Sequence, residues 1–316
     1  MKPPPIDTPK LIDTGFRSPQ FWERSVVYFA NLKSMFFENA AQTEELASQV
    51  GEIDSYGGRL APIIDLIYRG GSNTLVLEQT PDPSLLDYFR DKLELSIPRI
   101  DLMPFEVYQS AGAASKRSEL LFPEKAQWID GYVTDSTLLA WARATGLETV
   151  STLQGSRLGN NKTLLHRYLA EAGLPVPATV IAADSAEARK GLAELKQKGY
   201  KRAALRAALG ASGIGMLKVD LDPLANLEIP DTLFHEGSCL VQGWMEPGVH
   251  GARAVSSPSV QLFLDEASVQ MYDITDQILS ELSIHEGNMS PPHGLNDALH
   301  AELIRQAGEA GSWLHR

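Results

Sequence analysis

Cysteine is almost absent from this 316-residue chain, where Cys239 stands alone. That excludes an internal disulfide and a thiolate metal cluster, and it points to a reducing, cytoplasmic setting. Positive charge is scarce as well. The chain has 28 Lys and Arg against 40 Asp and Glu, a formal net charge of −12. Such a surface repels nucleic-acid phosphates and anionic lipid at long range, so neither nucleic acid nor a membrane is an expected partner. Long apolar runs are missing too. Even Ile63 to Tyr68 is interrupted by Asp65 and ended by Arg69, well short of the roughly 18 residues that cross a bilayer. The proline-rich start, Met1 to Thr8, has neither a basic stretch nor an apolar core, so it reads as a loose tail and not as an export signal. No repeat of fixed period and no low-complexity tract separates the halves.

What is present is apolar content, 43% of residues, in a chain long enough for two domains. The first half alternates. Strands are expected at Ser25 to Asn31 and Asn73 to Glu78, and helices at Glu38 to Val50, Arg59 to Tyr68 and Leu85 to Leu93. Gly70-Gly71-Ser72 and Thr80-Pro81-Asp82-Pro83-Ser84 mark the turns. A helix at Thr137 to Thr145, started by Asp135, and a strand at Thr149 to Leu153 complete a first domain, residues 1–155. This βαβ rhythm favours a parallel sheet and an α/β fold. The second half repeats the mixture over residues 156–316. It has a helix from Lys162 to Ala172, a strand at Ala178 to Ala182, a helix from Ser185 to Lys198, then strands at Ala203 to Ala207 and Met216 to Val219.

Between those last two strands lies Leu209-Gly210-Ala211-Ser212-Gly213-Ile214-Gly215. Glycines at Gly210, Gly213 and Gly215 free the backbone for positive φ and let successive amides converge on phosphate oxygens. The same pattern also serves a hairpin with a bulge. The dinucleotide fingerprint needs a helix after its glycines and the Walker loop ends in Gly-Lys-Ser/Thr, so neither fits a loop followed by a strand.

The order of segments resembles the ATP-grasp superfamily, in which a glycine-rich hairpin closes over nucleotide held between two subdomains. Asn160-Asn161-Lys162-Thr163-Leu164-Leu165-His166-Arg167, followed by Ala172-Gly173-Leu174-Pro175-Val176-Pro177, is similar to the family's opening helix and its exit. Ala204 to Gly215 resembles its strand and phosphate hairpin, with Arg206 where the family usually has lysine. Leu240-Val241-Gln242-Gly243-Trp244-Met245-Glu246 resembles the hinge strand that holds adenine. The segments Ser257 to Phe263, Tyr272 to Leu279 and His285 to Asn288 resemble paired strands of microbial peptide ligases.

The resemblance implies a Rossmann-like pre-ATP-grasp domain over residues 1–155, followed by an incomplete ATP-grasp fold with a nucleotide subdomain at 156–245 and the start of a second at 246–316. It implies ATP as cofactor, held by Lys162, Arg206, Gly210, Ser212, Gly213, Gly215, Gln242, Trp244, Met245 and Glu246. Trp244 and Met245 would pack on the purine and Glu246 would reach the ribose. Asp276 and His285 are candidates for a substrate site. Mg2+ is implied too, but the acidic strand and Glu-x-Asn segment that hold it in the family would lie beyond Arg316, so no metal ligand is expected within the chain.

The implied function is an ATP-dependent carboxylate-amine ligase of peptide type acting through an acyl phosphate. Its partners would be a small carboxylate and an amine, with a homodimer left open. The amphipathic pattern of Leu299, Leu303 and Ala307 runs to the last residue without a cap. A piece of a longer ligase, a naturally shortened relative or a chain with residues left off would explain it. The first is favoured, and with it the expectation of little or no turnover. A nucleotide-binding or scaffold protein without catalysis is the alternative, and phosphotransfer to a small alcohol is a third reading.

Overall fold

The computed structural model describes residues 10–13, 22–49, 57–110, 125–211, 213–224, 227–280 and 285–315. Ser212 and the Met1 to Thr8 segment lie outside the described residues. The chain divides into two compact units, one holding the described residues 22–158 and the other residues 10–13 with 159–315.

The first unit is built on a parallel sheet. Its strands are β2 (Val26–Phe29), β3 (Thr74–Leu77), β4 (Arg99–Leu102), β5 (Trp128–Gly131) and β6 (Glu148–Thr149), in the order β4-β3-β2-β5-β6. The run Thr74–Leu77 is buried at every position, as a strand covered on both faces must be. Alternation then sorts side chains between two cores. Val27, Phe29, Val76 and Ile129 meet Leu138 and Trp141 on one face, while Val26, Leu75 and Leu77 meet Ile64 and Tyr68 on the other. Asp135 caps the Ser136–Thr145 helix by accepting from Leu138 N at 2.7 Å, and Gly146 ends it at φ 71°.

Two expectations fail here. Only Glu148 and Thr149 of the expected Thr149 to Leu153 strand are extended, and Leu153 instead opens a helix, Leu153–Gly159. A short apolar run carries no periodicity that separates strand from helix.

The second unit has two sheets. One joins β7 (Thr179–Ala182), β8 (Arg202–Ala207), β9 (Met216–Asp220) and β10 (Cys239–Gly243) in the antiparallel order β7-β10-β8-β9. The Ser185–Gln197 helix covers one face, where Leu192 and Leu195 pack with Ala203, Leu205 and Val241. A capping box starts that helix: Asp184 Oδ1 accepts from Glu187 N at 2.8 Å, and Glu187 Oε2 accepts from Ala183 N at 2.9 Å.

The other sheet is organised on β12 (Ser268–Leu279), which pairs with β11 (Pro258–Leu264), β13 (His285–Met289) and, in parallel, β1 (Lys10–Asp13). Residues 10–13 thus join a sheet formed by the far end of the chain, whereas the sequence reading grouped them with residues 1–155. The Asp297–His315 helix lies on this sheet through Gly308 and Gly311. A Cβ on Gly308 would fall 2.9 Å from Leu11, and one on Gly311 2.5 Å from Val269.

Candidate functional site

The candidate site grows from the β7-β10-β8-β9 sheet, on the face opposite its helix-covered core. Along β8 the odd positions Ala203, Leu205 and Ala207 enter the core, so Ala204 and Arg206 face the other way. The register sets Ala204 opposite Gln242 of β10, and Gln242 opposite Thr179 of β7. A hydrogen-bonded chain crosses these strands. Arg206 Nη1 donates to Gln242 Oε1 at 3.2 Å, and Gln242 Nε2 donates to Thr179 Oγ1 at 3.2 Å. The small Ala204 side chain leaves room for it.

Asn161 brings in the second cation. Its side chain caps the Lys162–Glu171 helix by accepting from Leu164 N at 3.1 Å. Lys162 is then tied to the end of β8, because its backbone N donates to Ala208 O at 2.8 Å and its Nζ donates to Gly210 O. The hairpin after β8 is closed by Ala207 N donating to Gly215 O at 2.7 Å, with Gly213 at φ 83° and Gly215 at φ 70°. Burial lowers the Lys162 ammonium to a pKa of about 8, and the nearby Arg206 charge adds to the effect. Burial also lowers the Arg206 guanidinium. Among the described residues, neither cation forms an ion pair with a carboxylate.

A cavity of about 940 Å³ opens over these groups. Lys162, Arg206, Gly210, Gly213 and Gly215 line one side, and Gln242, Trp244 and Met245 line the hinge. Ser257, Gln277, Leu279 and His285 form the wall from β12 and β13 and the segment before β11. Most of the residues read from the sequence therefore converge.

Two do not line the cavity. Glu246 Oε2 accepts from Arg202 Nε at 3.0 Å and is held by that guanidinium. Asp276 Oδ2 accepts from His293 N at 2.6 Å. Gln277 lines the cavity, and adjacent strand residues point to opposite faces, so Asp276 turns away.

Sequence reading missed Lys218 on β9, which also lines the cavity. Its Nζ lies 4.1 Å from the Trp244 ring centroid, a cation–π contact that covers one indole face. The alternation of β9 placed Lys218 on the same face as Met216, and that was the available signal. Among the described residues no group of three or more His, Cys, Asp or Glu side chains is arranged to hold a metal ion. Nor is any helix among them long and apolar enough to cross a membrane.

No family model matches the sequence, and a comparison with curated proteins finds no match either. Solved structures do match. An ADP complex of purK, N5-carboxyaminoimidazole ribonucleotide synthetase, is similar over 92% of this chain and 63% of its own, at 13% identity and a TM-score of 0.54. Carboxyaminoimidazole ribonucleotide synthase from Aspergillus clavatus, complexed with ATP, has the same coverage at 14% identity and a TM-score of 0.51. The biotin carboxylase domain dimer of Hydrogenobacter thermophilus 2-oxoglutarate carboxylase, in complex with MgADP, ADP and bicarbonate, is similar over 92% of this chain and 58% of its own, at 13% identity and a TM-score of 0.54. The chain thus spans less than two thirds of the structures it matches. At these identities a likeness carries the fold alone, and that fold is α/β of the ATP-grasp superfamily.

Proposed function

We propose that this chain binds ATP in the cavity between the glycine hairpin and the hinge, as the nucleotide-holding part of an ATP-dependent carboxylate-amine ligase of peptide type. One observation carries the reading: Lys162 and Arg206 are both buried, both lack a carboxylate partner among the described residues, and both face one large cavity beside a glycine hairpin. Two desolvated cations repel each other and lose hydration, so a polyanion between them is strongly favoured.

ATP would supply the chemistry by passing its γ-phosphoryl group to a carboxylate, and the resulting acyl phosphate would yield an amide and inorganic phosphate on attack by an amine. The chain's own groups bind and orient. Lys162 and Arg206 offset phosphate charge, and the hairpin amides add donors that need no reorganisation. Met245 offers an apolar edge to a base, and Gln242 holds Arg206 in place and does not itself read the ligand. Main-chain and side-chain donors outnumber acidic groups on this wall, and nothing is routed through magnesium. A cytoplasmic setting and small-molecule partners belong to the same reading.

Calorimetric titration of the whole chain with ATP tests it. Saturable binding is expected, weakened at least tenfold in Arg206→Gln, since each factor of ten corresponds to about 1.4 kcal/mol, near the value of one charge-assisted hydrogen bond. Equal affinity in wild type, Arg206→Gln and Lys162→Met would sink the assignment. Binding without amide formation in any longer form of the protein would favour the non-catalytic alternative.

A further inference from the structure

The unit of residues 22–158 has a site of its own. In its five-stranded sheet the chain runs from β2 through β3 to β4 on one side, then places β5 and β6 on the other. Adjacent parallel strands β2 and β5 therefore send their following segments in different directions, and open α/β sheets take ligands at the crevice this leaves beyond the strand C-termini. A cavity of about 430 Å³ lies there. Lys33, Phe37 and Glu38 reach it from the segment after β2, and Asp135 and Ser136 from the segment after β5.

A buried network holds the crevice in shape. Asn31 Nδ2 donates to Tyr108 Oη and to Val133 O, both at 3.0 Å, while Asn31 Oδ1 accepts from Tyr132 N at 2.8 Å. Tyr108 Oη in turn donates to Asp135 Oδ1 at 2.8 Å. A Cβ at Gly131 would fall 2.6 Å from Asn31 Oδ1, so glycine is what lets the two segments come together. On the β2 side Phe37 and Glu38 both have positive φ, 44° and 82°, a conformation that side chains other than glycine rarely adopt twice in succession. Phe37 is nevertheless 97% buried by its 3% exposure, so packing holds the strain in place.

The lining has a distinct chemical character. Lys33 is neutralised by Glu78 Oε2 at 2.7 Å and lies 5.3 Å from the Phe105 ring centroid. The Arg157 guanidinium sits 5.8 Å from the Phe37 ring centroid. Next in sequence to that ring, Glu38 Oε1 accepts from Ser136 Oγ at 3.5 Å. One cation, carboxylates at Glu38 and Glu44, and apolar walls from Phe37, Phe105 and Leu153 share a volume suited to a small molecule.

We propose that this cavity binds a small zwitterion, an α-amino acid with an apolar side chain. Its ammonium group lies toward Glu38 and Glu44, its carboxylate toward Arg157, and its side chain against the aromatic wall. The inference goes beyond the nucleotide reading and does not depend on it.

The test is calorimetry on the whole chain without nucleotide, using L-leucine and L-phenylalanine as probes beside the singly charged phenethylamine and 3-phenylpropionate. Saturable binding of at least one amino acid is expected, and the singly charged analogues should bind about tenfold or more weakly. Arg157→Gln and, separately, Glu38→Gln should each weaken the amino acid by a similar factor while thermal unfolding stays as in wild type. The proposal is overturned if neither amino acid saturates by about 10 mM, if the analogues bind equally well, or if both variants bind unchanged. The analogue comparison uses the wild-type chain alone and stands even where a variant fails to fold.

Discussion

Nucleotide binding should take up a proton, and the amount follows from Lys162. Its ammonium is lowered to about 8 by burial first and by Arg206 second, so near pH 8 about half of the ligand-free molecules carry it neutral. A phosphate beside Nζ removes much of that penalty and returns the pKa toward the ordinary lysine range. Binding then draws about half a proton at pH 8, little at pH 7, and close to a whole one at pH 9. Linkage fixes the sign and size of the affinity change: Kd rises roughly twofold from pH 7 to 8 and about fivefold from pH 8 to 9. ATP itself is fully ionised across this range and adds no proton.

Calorimetric titration in buffers of different ionisation enthalpy gives the proton count directly at each pH. Arg206→Gln removes the second cause of the depression, so the inflection should move to higher pH. Lys162→Met should abolish it. If uptake at pH 8 is near zero in wild type, or persists in Lys162→Met, then Lys162 is not the group that meets the phosphates.

Two further predictions concern stability. Gly243 lies against the buried Tyr200 ring, and a Cβ there would fall 2.4 Å from Tyr200 Cε1. The ring also packs edge-on against His250 at 4.5 Å and has little room to retreat, so Gly243→Ala should lower stability by about 1–3 kcal/mol. Thermal unfolding at an unchanged temperature would contradict this. In the other unit, burial raises the Asp130 carboxyl to about 6, although Tyr68 Oη donates to it. Its folded pKa exceeds the unfolded value near 3.9, so the native state binds the extra proton between about pH 4 and 6, and stability falls as pH rises through that window by about 3 kcal/mol. Urea melts should show that fall in wild type and a shallower one in Asp130→Asn, and equal slopes would refute the assignment.

The site was more legible in the sequence than any single motif was. Helix starts were readable because Asp135, Asn161 and Asp184 each satisfy orphan amides locally, and β8 and β10 because their apolar alternation is uninterrupted. Lys162, Arg206, the glycines and Gln242 were found through the order of those elements. Glu246 and Asp276 were named from the same strands but do not line the cavity. Which face a strand residue presents depends on register and on partners such as Arg202 and His293 N, which lie far away in sequence.

The sequence by itself determined the α/β class, the acidic and nearly cysteine-free character, and the local starts, stops and glycine turns, because these follow from composition and from interactions spanning a few residues. Only the tertiary structure decided that residues 10–13 complete a sheet with β12, that Lys218 covers Trp244, and that Asn31 ties the segments after β2 and β5 around a second cavity. Each of these is a contact between residues distant along the chain, and such contacts are selected by packing and strand register, for which no local pattern carries a signal.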